Sequence, residues 1–411
     1  MNRFAWTPEL VAAGDWLADR MRELDLQVEV DPAGNVLGKW SAGSGPAVLV
    51  GSHLDSVPAG GKFDGTLGVL SGLEAIRRLQ RDGFQPERPI WLVAFNDEEG
   101  TRFDTALFGS SAFVGEDLTG LRDRIGIDGV TLAEGMSAAG FDFDRLPSAK
   151  AVHHVGCYLE LHIEQGPHME SKGLDTAVVT DIVGMRGYRV ELLGQANHAG
   201  ATPMHARRDA LACASRVVLA LRDGALAAED ITANVGQITI EPGGSNVVPG
   251  KAVLLVDVRA ADPTRFASLE NFVRDIVRRA ADEEGICAHV SETYSVSPAP
   301  MDASLQALLG EEMTIAQLAW ESMPSGAGHD AQVLARHVPS AMLFVPSHNG
   351  ISHAPAEYTA PAQREPGVHV LTNTLRKLGS AAAPHEQQPI PSATSVDQRQ
   401  TQQIRGGSDE H

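Results

Sequence analysis

Short apolar runs that alternate with amphipathic segments constrain the fold of this chain most strongly. Ala47–Gly51 and Pro89–Asn96 are predicted to be buried strands, and residues 67–80 between them carry apolar side chains at helical spacing. Each apolar run ends in a polar turn, as strands do in α/β sheets whose strands are connected by helices. The pattern therefore predicts an α/β fold, with a mostly parallel sheet and flanking helices.

A different order of elements interrupts this alternation in the middle of the chain. Residues 182–290 follow a β-α-β-β-α order, which is typical of a compact α+β insert. We therefore predict a catalytic domain in two parts, 1–181 and 291–379, around this smaller domain. Residues 380–411 are rich in glutamine and poor in bulky apolar side chains, so burial would not offset their ordering entropy. They are predicted to be a disordered tail.

Composition and charge exclude several function classes. The 411 residues carry a formal charge of −20, and so acidic a surface repels phosphate backbones, which argues against a nucleic-acid partner. No window approaches the ~18 uninterrupted apolar residues of a membrane helix, and the first residues lack the pattern of a secretory signal. The three cysteines are too few and too scattered for a disulfide framework. A reducing, cytoplasmic compartment is expected.

The stretch GSHLDSVPAGGKFDG, residues 51–65, is the most informative motif. His53, Asp55 and Asp64 lie just beyond a predicted buried strand, where sites form in open α/β sheets. Imidazole and carboxylate together suit a divalent cation such as zinc or manganese. A solvated polar loop is the alternative interpretation of this stretch alone.

The next predicted strand ends in the acidic pair Glu98–Glu99. In an extended segment these neighbours project in opposite directions, so one can bind a metal while the other moves protons. Such pairs are usually surface charge, but this pair follows a very apolar strand. Acids at a buried edge are costly unless a cation compensates them.

Two further histidines complete a possible ligand set. His162 lies in LELHIEQGP, residues 159–167, and His353 lies in SHAPAEYT. Either alone could be a hydrogen-bonded structural histidine. Taken together, the candidate ligands are His53, Asp64, Glu99, His162 and His353. Five such groups, one of them able to bridge, suffice for two metal ions about 3.5–4 Å apart.

The insert and the loop after it add candidates for binding a substrate. His198 follows a strand among small residues, and His329 lies between glycines at a predicted loop. Arg259 ends an apolar strand, where a substrate carboxylate could pair with its guanidinium. A salt bridge to Asp257 or Asp262 is an equal alternative at this stage.

These segments, in this order, resemble the M20 metallopeptidase family. Within it they are similar to the amidase/hydantoinase-carbamoylase branch, which contains N-carbamoyl-L-amino-acid hydrolases, β-ureidopropionases and allantoate amidohydrolases. The resemblance covers about residues 4–378, through GSHLDSV, GGKFDG, DEEGTRF, LHIEQGP, NHAGATPM, SNVVPG, SGAGHD and SHAPAE. LHIEQGP and SGAGHD favour this branch over aminoacylases and dipeptidases.

The resemblance implies a role for each candidate residue. It implies one metal ion on His53, Asp64 and His162 and a second on Asp64, Glu99 and His353, with Glu98 as the general base. The insert would be a lid and dimerisation domain that delivers His198, Asn246 and Arg259 to the active site, that of the neighbouring subunit. Gln165 and His329 would complete the substrate pocket.

The implied activity is hydrolysis of the ureido C–N bond of an N-carbamoyl-L-amino acid, with release of the amino acid, ammonia and carbon dioxide. The cofactors would be two divalent metal ions per subunit, with zinc as the family expectation and manganese, cobalt or nickel also suited to nitrogen and oxygen ligands. The expected partners are a small ureido substrate with a carboxylate and a second copy of the chain. Alternatives are an allantoate amidohydrolase or a β-ureidopropionase, then an aminoacylase, a peptidase or a non-catalytic binding module.

Overall fold

The computed structural model describes residues 1–228 and 230–380. The predicted tail therefore lies outside the described residues, apart from Ser380, which is the last residue of the final helix rather than the start of a tail. Within the described part of the chain, no helix is long and apolar enough to cross a membrane.

The part of the chain before the insert builds most of a large sheet and its first helices. Its elements are α1 (Pro8–Arg22), β1 (Gln27–Val30), β2 (Val36–Trp40), β3 (Ala47–His53), α2 (Thr66–Arg81), β4 (Ile90–Phe95), α3 (Phe108–Val114), α4 (Leu132–Ala138), β5 (Val155–Ile163), α5 (His168–Lys172) and β6 (Thr176–Ile182). The apolar runs predicted to be strands are β3 and β4, and the predicted helix between them is α2.

The middle of the chain forms a second, four-stranded sheet with its own helices. Its elements are β7 (Gly184–Leu193), β8 (Asn197–His198), α6 (Ala210–Ala228), β9 (Ile231–Glu241), β10 (Val247–Val248), β11 (Lys251–Ala260), α7 (Pro263–Glu284) and β12 (Cys287–Val296). The four long strands pair antiparallel in the order β12-β7-β11-β9, and β8 pairs with β10 in a separate ribbon. Side chains of α6 and α7 pack with this sheet in one core.

The rest of the chain returns to the large sheet. Its elements are β13 (Ala299–Pro300), α8 (Ala303–Ile315), β14 (Trp320–Ser325), α9 (Asp330–Leu334), β15 (Ser340–Val345) and α10 (Pro361–Ser380). The large sheet has the order β1-β2-β4-β3-β5-β15-β6-β13, with β14 also beside β6. Its middle strands β4, β3, β5 and β15 run parallel, whereas β1 and β2 pair antiparallel at the edge. The predicted fold class is confirmed.

Helices cover both faces of the large sheet. Residues of α1, α2, α8 and α10 pack on one face, in a core that contains Val48 and Val50 of β3. Residues of α3 and α9 pack on the other face, against Leu49 of β3 and Val93 of β4. Successive residues of β3 thus point into opposite cores, which is why this strand is a continuous apolar run.

The second sheet differs from the prediction at its C-terminal edge. The insert was predicted to end at residue 290, but β12 continues to Val296 and pairs with β7 along its length. This strand, CAHVSETYSV, lies at the sheet edge and is mostly exposed. It therefore lacks the apolar pattern by which a strand is recognised in a sequence.

Candidate metal centre and active site

Asp64 lies at the centre of a cluster of imidazole and carboxylate groups. It is buried in the loop between β3 and α2. Its Oδ1 atom lies 3.1 Å from Nε2 of His162, and its Oδ2 atom lies 3.0 Å from Nε2 of His353. The Gln165 amide donates to the same two oxygens at 3.3 and 3.1 Å. One carboxylate thus joins groups from two other, distant parts of the chain.

His53 enters the cluster from the carboxyl end of β3. Because β3 and β5 are parallel neighbours, His53 comes close to His162 near the end of β5, with ring centroids 6.0 Å apart. His53 Nε2 lies 3.9 Å from Oδ1 of Asp64. Gly65 has a φ of +61°, and a Cβ there would lie 2.4 Å from the His53 ring. Only glycine lets the loop approach this imidazole so closely.

The acidic pair after β4 faces two different imidazoles. Glu98 Oε2 lies 3.8 Å from Nε2 of His53, and Glu99 Oε1 lies 3.5 Å from Nε2 of His353. Asp55 holds this turn, because its two oxygens accept the backbone amides of Glu98 at 3.1 Å and Glu99 at 3.0 Å. The neighbouring glutamates therefore occupy distinct positions in the cluster.

Buried acids crowd this edge of the sheet. Asp55, Asp64, Asp97, Glu98, Glu160 and Asp330 are each at most 8% exposed. Burial raises the pKa of Glu98 well above its ordinary value, although His53 opposes the shift. Burial would also raise the pKa of Asp64, but hydrogen bonds with His162 and His353 hold it well below its usual range. So much negative charge in a low dielectric favours bound cations.

The donor set fits divalent metal ions. Two groups that share Asp64 have ligand atoms within 4.8 Å of one another: His53, Asp64 and His162, and Asp64, Glu99 and His353. Glu160, His162 and His329 satisfy the same distance. Among the described residues, the buried Oε1 atom of Glu99 has no hydrogen-bond partner, so it is available as a ligand atom. Nitrogen and oxygen donors of this kind suit zinc or manganese.

The metal-free protein should lose stability as the pH rises from about 5 to 8. Burial, opposed by His53, raises the folded-state pKa of Glu99 from 4.5 to about 7, so between these values the folded state binds more protons than the unfolded state. The pKa of His162 is also raised, since Asp64 and Glu160 outweigh burial, and its stabilising proton is lost as the pH rises through that raised pKa.

Thermal unfolding of the chelated protein at pH 5, 6.5 and 8 tests this pH dependence. The unfolding midpoint should fall at each step, and added Mn²⁺ should reduce the slope because the cations replace the protons. A midpoint of the chelated protein that rises between pH 5 and 8 would contradict the expectation.

Gln165 and His329 both lie at the cluster. Gln165 contacts Asp64 as described, and its Nε2 atom lies 3.4 Å from Nε2 of His353. The ring of His329 packs 4.4 Å from that of His162, and its Nε2 atom lies 2.8 Å from Oγ of Ser325. Burial lowers the pKa of His329 well below its ordinary value, so this imidazole is neutral at physiological pH.

For Arg259 the structure shows one of the two interpretations that the sequence left open, the salt bridge, and binding of a substrate carboxylate stays a prediction. Its Nε atom lies 2.8 Å from Oδ1 of Asp257, which is the salt bridge considered as the alternative. Its Nη1 atom donates to the Gly326 carbonyl at 2.9 Å, so the guanidinium reaches the loop that carries His329. A third of the Arg259 side chain stays exposed, which leaves it accessible to a ligand.

His198 and Asn246 lie close to each other at the ribbon that β8 and β10 form. His198 is on β8 and pairs with Val247 of β10, and the Ala199 amide donates to the Asn246 carbonyl at 3.0 Å. Across the described residues 1–228 and 230–380, no hydrogen bond or ion pair joins either residue to the cluster around Asp64. Within this chain, the structure therefore brings together the predicted residues other than these two and Arg259.

Glu357 is a supporting residue that the sequence analysis missed. Its Oε1 atom accepts the backbone amides of Phe63 at 2.8 Å and Asp64 at 3.1 Å, and its Oε2 atom accepts the Ser352 hydroxyl at 2.9 Å. It thus ties the Asp64 loop to the loop that carries His353. The available signal was its position in SHAPAEYT, four residues after His353.

Comparisons with known proteins find similar sequences and structures over most of the chain. The sequence profile of Peptidase family M20/M25/M40 matches residues 49–377. The chain is 37% identical over 386 residues to the allantoate amidohydrolase of Bacillus subtilis (strain 168), covering 92% of each chain. It is 38% identical over 392 residues to an N-carbamoyl-L-amino acid amidohydrolase of Geobacillus stearothermophilus, covering 92% of this chain and 93% of the relative. A solved hydantoinase/carbamoylase family amidase from Burkholderia multivorans superposes with a TM-score of 0.85 at 36% identity, over 93% of each chain.

Proposed function

Because the chain belongs to the M20 family, among its hydantoinase/carbamoylase amidases, and is an enzyme that hydrolyses amide bonds, we propose that it cleaves the ureido C–N bond of N-carbamoyl-L-amino acids. The products would be the amino acid, ammonia and carbon dioxide. The observation that carries the proposal is the position of Asp64 between His162 and His353, with Glu98 beside this cluster.

The proposed cofactors are two divalent metal ions that share Asp64, with zinc first and manganese, cobalt or nickel as alternatives. His53 and His162 would complete one ligand set, and Glu99 and His353 the other. Ions held there would supply Lewis acidity, which lowers the pKa of water and polarises the substrate carbonyl.

Glu98 is the proposed general base. Its buried carboxylate faces His53 at 3.8 Å and is absent from both proposed ligand sets, so it can exchange a proton. It would take the proton of the attacking water and transfer it to the leaving nitrogen. Burial raises its pKa, which favours keeping the proton between these two steps.

The insert would supply groups that hold the substrate. Arg259 and Asn246 would bind the substrate carboxylate and so orient the ureido carbon, and His198 would stabilise the developing oxyanion. Because no hydrogen bond or ion pair joins His198 or Asn246 to the cluster among the described residues of this chain, they would act in the active site of a second copy.

A homodimer is therefore part of the proposal. Leu211, Leu219 and Leu226 expose apolar side chains on α6 of the insert, at exposures of 41%, 57% and 63%. Exposed apolar side chains on one helix support a contact between this helix and a second copy of the chain. A cytoplasmic compartment stays a prediction from the sequence.

Allantoate is the second candidate substrate, since the 37% identical relative from Bacillus subtilis is named an allantoate amidohydrolase. It carries the same ureido and carboxylate groups, so the proposed chemistry at Glu98 would be unchanged.

Ammonia release from a substrate panel tests the proposed function. The chelated enzyme is reloaded with Zn²⁺, Mn²⁺, Co²⁺ or Ni²⁺ and given N-carbamoyl-L- and D-amino acids, β-ureidopropionate and allantoate. We expect metal-dependent release from the L-carbamoyl compounds. In a parallel assay that measures released amino groups, hydrolysis of N-acyl amino acids or dipeptides alone would contradict the proposal. Metal binding without any hydrolysis would indicate a binding protein.

Arg259→Ala should lower kcat/KM far more for substrates that carry a carboxylate than for their uncharged amides. The lost ion pair should lower kcat/KM for an N-carbamoyl amino acid by about 10- to 100-fold, because a charged hydrogen bond contributes about 1.5–3 kcal/mol. Steady-state kinetics on a substrate and its carboxamide measure the difference. Equal losses on both would indicate a structural role, and Arg81→Ala at the exposed end of α2 is the control.

A further inference from the structure

A groove of about 490 Å³ opens beside Arg259, where the second sheet meets the catalytic domain. Its lining residues are Thr232, Ala233, Asn234, Asp257, Arg259 and Gly326. Four of these six residues have polar side chains, and Ala233 has the one apolar side chain.

The register of β9 and β11 places four of these side chains on one face of the sheet. Thr232 pairs with Arg259, and Asn234 pairs with Asp257. Residues two apart on a strand point to the same face, and opposed residues have Cβ atoms about 4.5–5.5 Å apart. The hydroxyl of Thr232 and the amide of Asn234 are thus immediate neighbours of the Arg259–Asp257 pair.

Asp257 fixes the arginine at the edge of this groove. Its Oδ1 atom accepts from Nε of Arg259 at 2.8 Å, while its Oδ2 atom accepts the hydroxyl of Tyr294. The Gly326 carbonyl accepts from Nη1 at 2.9 Å. With its guanidinium held on two sides, Arg259 presents a preorganised cation to the groove.

The groove is connected to the metal centre by a short loop. Gly326 lies only three residues before His329, whose ring packs 4.4 Å from that of His162. Three residues span at most about 11 Å of extended chain. A small molecule could therefore reach from the groove toward the cluster along this loop.

From this arrangement we propose that the groove binds the substituent on the α-carbon of the substrate. This substituent is a hydrogen-bonding group, either an amide or a second ureido group, and not a hydrocarbon. The inference rests on the proposed function, in which Arg259 holds the carboxylate. Because the α-carbon is bonded directly to that carboxylate, its substituent must lie next to the guanidinium.

The chemistry of the lining residues selects for such a group. The Asn234 amide and the Thr232 hydroxyl both donate and accept hydrogen bonds, and Asp257 accepts them. Among the described residues, neither Asn234 nor Thr232 has a side-chain hydrogen-bond partner, so both are available to a ligand. A hydrocarbon would displace their water without replacing those hydrogen bonds, which costs affinity.

Matched substrates test the inference on the Mn²⁺-loaded enzyme. N-carbamoyl-L-asparagine and N-carbamoyl-L-leucine have side chains of nearly the same shape, one polar and one apolar, and N-carbamoylglycine has none. Each kcat/KM is divided by that for N-carbamoylglycine on the same variant. We expect this normalised kcat/KM of the asparagine derivative to exceed that of the leucine derivative about tenfold or more, and we call their quotient the ratio. The normalised kcat/KM of allantoate should likewise exceed that of the leucine derivative.

Substitutions in the groove should remove this preference. Asn234→Leu replaces the amide with an apolar side chain of similar shape, and Thr232→Val does the same for the hydroxyl, so each should lower the ratio at least about threefold. Thr239→Val makes the same change on the same strand outside the groove, and it should leave the ratio unchanged.

The outcomes separate this inference from the proposed function. A wild-type ratio of about one or less, or a ratio that neither groove substitution lowers, would overturn the inference while hydrolysis of N-carbamoylglycine upholds the proposed function. No ammonia from any ureido acid would overturn the proposed function and, with it, the inference.

Discussion

Glu98→Gln should leave metal binding intact and lower kcat by about 10³-fold, within the range of positioned acids and bases. The substitution keeps the shape of the side chain and removes its ability to exchange a proton. Glu98 is absent from both residue groups proposed to hold metal, so neither ion should be lost. Steady-state ammonia release and metal content of the purified variant, by mass spectrometry, measure the two effects.

Exposed Glu87→Gln, which makes the same change elsewhere in the catalytic domain, is the control and should behave as the wild type. Near-normal turnover of Glu98→Gln would remove Glu98 from its proposed role. Loss of metal together with activity would instead place Glu98 among the ligands.

Asp64→Asn should abolish activity by removing both metal ions at once. The amide keeps the size of the carboxylate but loses its charge, and a neutral oxygen is a weak ligand. Because Asp64 belongs to both proposed ligand sets, losses of the two ions should be coupled. The residual rate should fall below that of Glu98→Gln, since this variant lacks Lewis acidity as well as one carboxylate.

Metal titration followed by calorimetry distinguishes coupled loss from loss of a single ion. Far-ultraviolet circular dichroism should show that the variant is folded, and exposed Asp15→Asn serves as the matched control. Retention of one tightly bound ion in Asp64→Asn would contradict the shared position of this carboxylate.

Much of the cluster could be predicted from the sequence because chemistry and topology agree there. His53 follows the apolar run of β3, Glu98 and Glu99 follow that of β4, and His162 lies near the end of β5. Carboxyl ends of parallel strands meet at one edge of a sheet, so residues far apart in sequence were expected to converge.

The residues that support the cluster were harder to predict. Glu160 accepts the hydroxyl of Ser52 at 2.7 Å and the backbone amide of Ala331 at 3.0 Å. Nothing in the sequence distinguishes this glutamate from one on the surface, because its hydrogen-bond partners lie on other elements. Such roles depend on contacts between distant segments, which local patterns do not encode.

The sequence by itself determined the α/β class and the residue types that gather around Asp64, since hydrophobic periodicity and motif spacing are local properties. Only the tertiary structure decided the length of β12 and the salt bridge between Arg259 and Asp257. An exposed edge strand has little apolar pattern, and which residue forms a salt bridge with a given side chain depends on packing in three dimensions. Both are therefore settled by neighbours that the chain brings together only when it folds.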